Sequence, residues 1–162
     1  MLSTQVISDQ AMKTWRRFLR AQCGLMRRLD AELTSQHGLT INDYDVLVQL
    51  RDAPDGQMRM SALASHTLLT RSGITRLIDG LVRDGIVERR PCSTDARVAY
   101  ARLTPAGVEK MLVAKESHLA SVDNAFTGLF DEQELAQLGE YLGRLPGVLD
   151  VETETSNHNE CG

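Results

Sequence analysis

The sequence has few cysteines, and the three it has lie far apart. Cys23, Cys92 and Cys161 form neither a CxxC pair nor the even set from which a disulfide framework is built. This usage is typical of proteins that stay in a reducing compartment, so we expect the protein to be cytoplasmic.

Long apolar runs are also missing. The uninterrupted apolar segments are far too short to cross a bilayer, which requires about 20 residues. The first residues, MLSTQVISDQ, contain neither a basic segment nor an apolar core. We therefore expect no signal peptide and no association with a membrane.

The sequence shows no pattern for catalysis or metal binding. No nucleophile–base spacing and no phosphate-binding loop appears, so we expect no catalytic residue and no enzyme activity. The histidines lack HxxxH and Cys/His spacing, so we expect neither a metal nor another cofactor. They are His37, His66, His118 and His158.

The sequence has no overall excess of positive charge, because its formal net charge is −4. Residues 59–102 nevertheless carry eight arginines and four acidic residues, a net charge of +4, whereas residues 103–162 have a net charge of −8. We name residues 59–102 the basic segment. A polyanion responds to charges within about 10 Å, so this local excess favours nucleic-acid binding by an acidic protein.

Apolar residues recur at helical spacing through most of the chain. Residues 9–36 and 105–129 predict two long amphipathic helices, and shorter helices are predicted to follow Thr40, Thr70 and Asp131. The runs IVERRP and VAYARLT predict a β-hairpin, and QMRM predicts a short strand.

In the helix that follows Thr70, apolar residues fill one face, as expected of a helix packed on a core. These residues are Ile74, Leu77, Ile78, Leu81 and Val82. The opposite face is polar and basic and includes Asp79. Arginine can donate two parallel hydrogen bonds to a guanine edge, so we expect this face to enter the major groove of DNA. Its candidate contacts are Arg71, Ser72, Thr75 and Arg76.

A short helix opened by Ser61, a turn, this second helix and a hairpin follow the plan of a winged helix-turn-helix. The expected fold is mainly α with a small β-hairpin wing, a winged helix-turn-helix plus a helical dimerisation region. A homodimer is expected because a small winged domain cannot bury the apolar faces of both long helices. The expected segments are a dimerisation helix (1–38), the DNA-binding domain (39–104), further dimerisation helices (105–147) and a disordered acidic tail (148–162).

The stretch LTRSGITRLIDGLVRDGIVERRP, followed by STDARVAYARLTPAG, resembles the MarR family of bacterial transcription regulators. Its most specific element is the wing pattern, with Asp95 and Arg97 followed by Leu103 and Thr104. The resemblance, over about residues 9–145, implies a homodimer whose winged domains read a palindromic site in double-stranded DNA. It also implies regulation, usually repression, relieved by a small phenolic or amphipathic ligand or by oxidation.

Further contacts to DNA and to an effector are expected. Arg97 at the hairpin tip suits the narrow minor groove, and Asp95 suits a role in fixing the loop or orienting a neighbouring arginine. Phosphate contacts are expected from Ser61, Thr70 and Arg89. An effector pocket is expected where the first, second and fifth helices meet the winged domain. Its candidate walls are Trp15, Arg16, Phe18, Tyr44 and Val48.

Two alternatives stay open. The first is a redox-sensing regulator of the same fold, because Cys92 is flanked by arginines that favour a thiolate. Cys23 is instead expected to be a buried structural residue, in the core or in the dimer interface. The second alternative is a winged helix that contacts only protein, against which the basic segment and Arg97 argue.

Overall fold

The computed structural model describes residues 7–66, 70–92 and 98–145, which are mainly helical with a small antiparallel sheet. The helices are α1 (Asp9–His37), α2 (Ile41–Asp52), α3 (Met60–His66), α4 (Arg71–Arg83), α5 (Pro105–Ala125) and α6 (Glu132–Leu142). The strands are β1 (Gln57–Arg59), β2 (Val87–Pro91) and β3 (Ala99–Leu103). Single 3-10 turns occupy Pro54–Gly56 and Thr127–Leu129. The expected fold class is confirmed. The acidic tail lies outside the described residues.

Several helices begin where local chemistry predicted. At the start of α2, Thr40 Oγ1 accepts from the Asp43 N–H at 3.1 Å, and the Thr40 N–H donates to Asp43 Oδ2 at 2.9 Å. This reciprocal pair satisfies two amide groups that a helix start otherwise leaves open. Thr104 caps α5, which begins with Pro105, and Asp131 caps α6.

The sheet has the order β1–β3–β2. Residues paired across neighbouring strands lie on one face, so Val87 and Leu103 point together into the core. The opposite face has two rows of paired residues. We name it the outer sheet face, and its rows are Arg59–Tyr100–Arg90 and Gln57–Arg102–Glu88.

The core lies between the sheet and the helices that surround it, with contributions from α1 to α5. Its completely or almost completely buried residues are Leu33, Leu47, Leu50, Leu63, Ile74, Ile78, Ala101 and Met111. The apolar face predicted for α4 is therefore largely buried. Val82, near the end of that helix, remains 37% exposed.

Two of the helices expected in a dimer interface are poorly covered in the single chain. The buried residues of α1, Leu29 and Leu33, lie in its last third. Trp15, Phe18 and Leu19, nearer its beginning, are exposed, and α6 buries no residue. Apolar faces on both helices therefore remain open to another surface.

The end of α4 is joined tightly to the start of α5. Gly85 adopts a left-handed conformation (φ 73°), and the Ile86 N–H donates to the carbonyl of Leu81 at 2.9 Å. Thr104 Oγ1 lies 2.7 Å from the carbonyl oxygen of Gly85. Gly107 is buried against the backbone of Ile86, where a Cβ would collide with the carbonyl oxygen. We name Gly85, Ile86, Thr104 and Gly107 the α4–α5 joint.

Candidate nucleic-acid interface

α4 is held with a defined orientation at its first turn and along its apolar side. Thr70 Oγ1 accepts a hydrogen bond from the Gly73 N–H at 3.1 Å, which caps the helix as the sequence predicted. Ile74 and Ile78 are fully or almost fully buried. Since these contacts fix one side of the helix in the core, its other side faces outward.

The outward side of α4 carries the polar side chains proposed for the major groove. Ser72, Thr75 and Arg76 are exposed. Arg71 is the first helical residue, and its side chain lies outside the described part of the structure. Arg76 forms no hydrogen bond or ion pair with residues 7–66, 70–92 or 98–145. Its guanidinium donors are therefore available to a base edge.

Arg89, predicted to contact phosphate, turns from β2 towards α4. Its Nη1 lies 2.8 Å from Asp79 Oδ1, and its Nη2 donates to the Thr75 carbonyl oxygen at 3.4 Å. The planar guanidinium can bridge two acceptors and still retain other donors. These contacts connect α4 with β2, one of the two wing strands. Sequence reasoning missed them, because no local spacing places a helix residue beside a later strand.

The two other predicted phosphate contacts lie at helix starts. Ser61 is on the first turn of α3, Thr70 precedes α4, and both are exposed. A pocket of about 290 Å³ opens between α3, α4 and the sheet, and Ser61 borders it. The other residues that line it are Arg59, Met60, Ile74, Thr75, Val98 and Ala99. Candidate contacts on α3 and α4 therefore border a common recess.

The predicted minor-groove contacts, Asp95 and Arg97, lie outside the described residues and stay predictions. The strands that lead to them are paired up to the edge of this gap. The Cys92 N–H donates to the Val98 carbonyl at 2.9 Å, directly beyond the last strand pair. The hairpin arms therefore have a fixed register where residues 93–97 begin and end.

Two proposed pocket residues lie where α2 meets α1 and α5. Tyr44 is buried with its ring 4.6 Å from the His118 ring, and Val48 is half-buried. Burial lowers the pKa of His118, against the opposing effect of the nearby Glu32 carboxylate. Among the described residues, His118 Nδ1 has no hydrogen-bond partner. Burial also raises the pKa of Tyr44, so this junction favours the neutral form of both rings.

The other proposed pocket residues lie elsewhere in the single chain. Trp15 and Phe18 stack with ring centroids 6.0 Å apart, and both are exposed, as is Arg16. The point at which α1 enters the core, Leu33, is about 27 Å further along the helix axis than Trp15. The five candidate walls therefore do not converge within one chain.

Cys23 is exposed in the single chain, which corrects the expectation of burial as far as the core of that chain is concerned; burial in a dimer interface stays a prediction. The reason is that its part of α1 packs against no core of the same chain. Its spacing from Leu19 and Met26 places the three on one helix face. Cys92 is half-buried.

In the part of the chain that the structure describes, no three His, Cys, Asp or Glu side chains are grouped so that they could hold a metal ion. No helix in that part of the chain is long and apolar enough to cross a membrane.

A short helix, a second helix with an exposed polar face and two wing strands together define a winged helix-turn-helix, a DNA-binding class. The family model described as MarR family matches residues 37–98. The chain is also 33% identical to AbsC, a MarR family transcriptional regulator from Streptomyces coelicolor, with a TM-score of 0.80. That match covers 86% of this chain and 93% of AbsC. The chain belongs to the MarR family and is a DNA-binding transcription regulator, not an enzyme.

Two further relatives extend the comparison. The HTH-type transcriptional repressor YetL of Bacillus subtilis (strain 168) is 31% identical over 111 residues, which are 67% of this chain and 66% of YetL. Sco3205, a MarR family transcriptional regulator from Streptomyces coelicolor, was solved in complex with DNA. It is 26% identical with a TM-score of 0.83, over 88% of this chain and 89% of Sco3205.

Proposed function

We propose that this protein is a cytoplasmic, homodimeric repressor that binds a palindromic operator and releases it when a small phenolic or amphipathic ligand binds. The observation that carries the proposal is α4, whose apolar side is buried while Thr75 and Arg76 face outward. YetL, named as a transcriptional repressor, supports repression, and Sco3205, solved with DNA, supports binding to a duplex.

Homodimerisation is supported by apolar side chains that the single chain leaves in water. They lie on α1, α5 and α6, and many exposed apolar side chains on a few helices are typical of interaction sites. Examples are Trp15, Leu19, Met26, Leu112, Val113, Leu119 and Tyr141. A second copy offers the same faces, so a two-fold dimer would cover both sets. The division into dimerisation segments and residues 39–104 is part of this proposal.

The proposed dimer sets the geometry of binding. Two α4 helices that read one duplex should lie about 34–36 Å apart, one helical turn along the same face. Contacts to phosphate should supply most of the affinity, so binding should weaken steeply as salt is added.

The function is tested by selecting bound sequences from a random duplex pool and titrating the selected site. Arg76→Ala should weaken binding by about 1–3 kcal/mol and relax the preference at one base pair, because it removes a base-edge contact. Arg144→Ala, which removes an exposed arginine just after α6, is the control and should leave binding unchanged. A wild type that selects no sequence contradicts the function. An unchanged Arg76→Ala variant removes that residue from the contacts.

The effector is tested with phenolic carboxylates added to the protein–DNA complex. In the proposed dimer, the exposed pair Trp15 and Phe18 of one copy, with Arg16, would meet Tyr44 and Val48 of the other. Since Trp15 is the single tryptophan, its fluorescence should change when a ligand enters this pocket. DNA release without any change in Trp15 fluorescence would place the ligand elsewhere.

Oxidation is the competing signal, and the same complex tests it with added peroxide. Cys23 shares a face with Leu19 and Met26, which the proposed dimer would cover, so Cys92 is the better candidate. Release by peroxide that Cys92→Ser abolishes would replace the phenolic ligand with a redox signal.

A further inference from the structure

The outer sheet face carries positive charge that α4 does not use. Arg59, Arg90 and Arg102 all lie on it, on the side of the sheet opposite to Val87 and Leu103 of the core. They are three of the eight arginines of the basic segment. The charge that first indicated a nucleic-acid partner is therefore divided between two surfaces.

Side chains on this face contact one another, and one of these contacts involves Tyr100. The Arg59 guanidinium carbon lies 5.9 Å from the centroid of the Tyr100 ring, and Arg59 Nε donates to Tyr100 Oη at 3.1 Å. Glu88 Oε1 lies 2.8 Å from Arg90 Nε and 4.0 Å from Arg102 Nη1. One carboxylate thus faces two arginines, and the six residues of the face have a net charge of +2.

The residues of this face lie close, along the chain, to those predicted to contact DNA. Arg90 and Tyr100 are each three residues from the 93–97 segment, and Arg59 borders the recess beside Ser61. Strand spacing places the Cα atoms of Arg59 and Arg90 about 10 Å apart. One DNA strand presents a phosphate about every 3.4 Å along the axis, so arginines about 10 Å apart can contact different phosphates of one strand.

We propose that the outer sheet face is a second phosphate-binding surface, which contacts the backbone of the duplex beyond the base pairs read by α4. The proposal rests on the DNA-binding function proposed above and lengthens the contact made by each protomer. A protein partner would need an apolar centre to its interface. The one aromatic ring on this face, Tyr100, is only 7% exposed, so the face offers charged and polar groups and no apolar centre.

The test compares two duplexes at several salt concentrations. One is the shortest duplex that keeps the full sequence preference, and the other extends it by about 10 base pairs, one helical turn, on each side. Wild type should bind the longer duplex more tightly, with a slope of log K against log salt that is steeper by about 2 or more. The triple variant Arg59→Gln/Arg90→Gln/Arg102→Gln should lose this difference, binding the long duplex at least about ten-fold more weakly.

Arg144→Gln is the matched control. Arg144 lies two residues beyond the end of α6, with its guanidinium carbon 4.9 Å from the Tyr141 ring centroid and Nη2 2.6 Å from Glu140 Oε1. The variant removes the same charge in a similar setting and should leave both duplexes unaffected.

The outcomes separate this proposal from the proposed function. If wild type binds the two duplexes with equal slopes of log K against log salt, the second phosphate-binding surface is overturned while operator binding stands. This comparison uses wild type alone, so it does not depend on whether a variant folds. A folded triple variant that still binds the longer duplex more tightly than the shorter one also overturns this proposal. An acidic protein would then be the expected partner of this face. A wild type that binds neither duplex overturns both proposals.

Discussion

Gly107 occupies a position where no side chain fits. It is buried at the start of α5, and a Cβ would meet the carbonyl oxygen of Ile86, a backbone atom that cannot rotate away. Gly107→Ala should therefore lower the free energy of unfolding by about 1–3 kcal/mol, because the backbone of the joint must shift. Urea unfolding followed by circular dichroism measures the change.

The control for this substitution is Gly80→Ala in the middle of α4. The nearest atom to a Cβ there is Arg83 Nη2 at 3.8 Å, an ordinary contact. Alanine should stabilise this helix by up to about 1 kcal/mol, because glycine is the poorer helix former. If Gly107→Ala is as stable as wild type, the close approach to Ile86 is wrong.

His118 should make stability depend on pH. Burial places its folded-state pKa below the unfolded value of about 6.5, so the unfolded chain binds the proton more readily. Its contribution is complete above pH of about 6.5 and is lost as pH falls through the lowered folded-state pKa. Glu32 opposes this loss and remains ionised, because hydrogen bonds from Ser121 and Arg28 lower its pKa.

The measurement is the melting temperature of wild type and His118→Gln between pH 8 and 5. Wild type should lose stability more steeply below pH of about 6.5, since glutamine takes up no proton. Parallel profiles for the two proteins would show that the folded and unfolded states bind this proton equally.

At the scale of elements, Arg89 connects a helix with a strand. Its guanidinium contacts Asp79 and the Thr75 carbonyl, which orients α4 on the wing, and its other donors can reach a phosphate. Arg89→Lys should keep the salt slope of DNA binding but lower the ratio of specific to non-specific affinity about three- to ten-fold. The ammonium retains the charge but lacks the planar fork that bridges two acceptors.

Arg89→Gln completes this experiment. It should lower the salt slope by about one per protomer, as expected when a phosphate contact is lost. Arg89→Lys with wild-type discrimination would show that the contact to α4 does not orient it. An unchanged slope in Arg89→Gln would remove Arg89 from the phosphate contacts.

Elements that depend on local chemistry were predictable, and contacts between elements were not. Thr40, Thr104 and Asp131 identify helix starts because each caps amides only three residues away. Asp79 and Arg89 meet only after α4 has packed beside β2. The sequence also could not assign Cys23 to the core or to a dimer interface, since apolar spacing shows which face of α1 is apolar but not which molecule covers it.

At the scale of the whole molecule, the exposed apolar faces predict assembly. Leu119 on α5 is 53% exposed in the single chain, so Leu119→Glu should leave that chain folded. In the proposed dimer the same change would bury a charge, which is strongly unfavourable. Light scattering at micromolar concentration should return twice the 18.0 kDa chain mass for wild type and a larger monomer fraction for the variant.

Val82→Glu is the matched control, because Val82 is 37% exposed but lies on α4, away from the proposed interface. This variant should retain the dimer mass. A monomeric wild type would contradict the assembly outright, whereas an unaffected Leu119→Glu would move the interface away from that part of α5.

The α4–α5 joint has a mechanical consequence for this molecule. Thr104 Oγ1 lies 2.7 and 3.1 Å from the carbonyl oxygens of Gly85 and Ile86, so the two helices are coupled where they meet. α5 has 21 residues and is about 31 Å long, so a tilt of about 5° displaces its end by about 3 Å. That displacement is most of the 3.4 Å rise of one base pair. If the far end of α5 is instead fixed in the proposed dimer, the same tilt displaces the joint and the adjoining end of α4 by about 3 Å, so α5 would act as a lever on the helix proposed to read DNA.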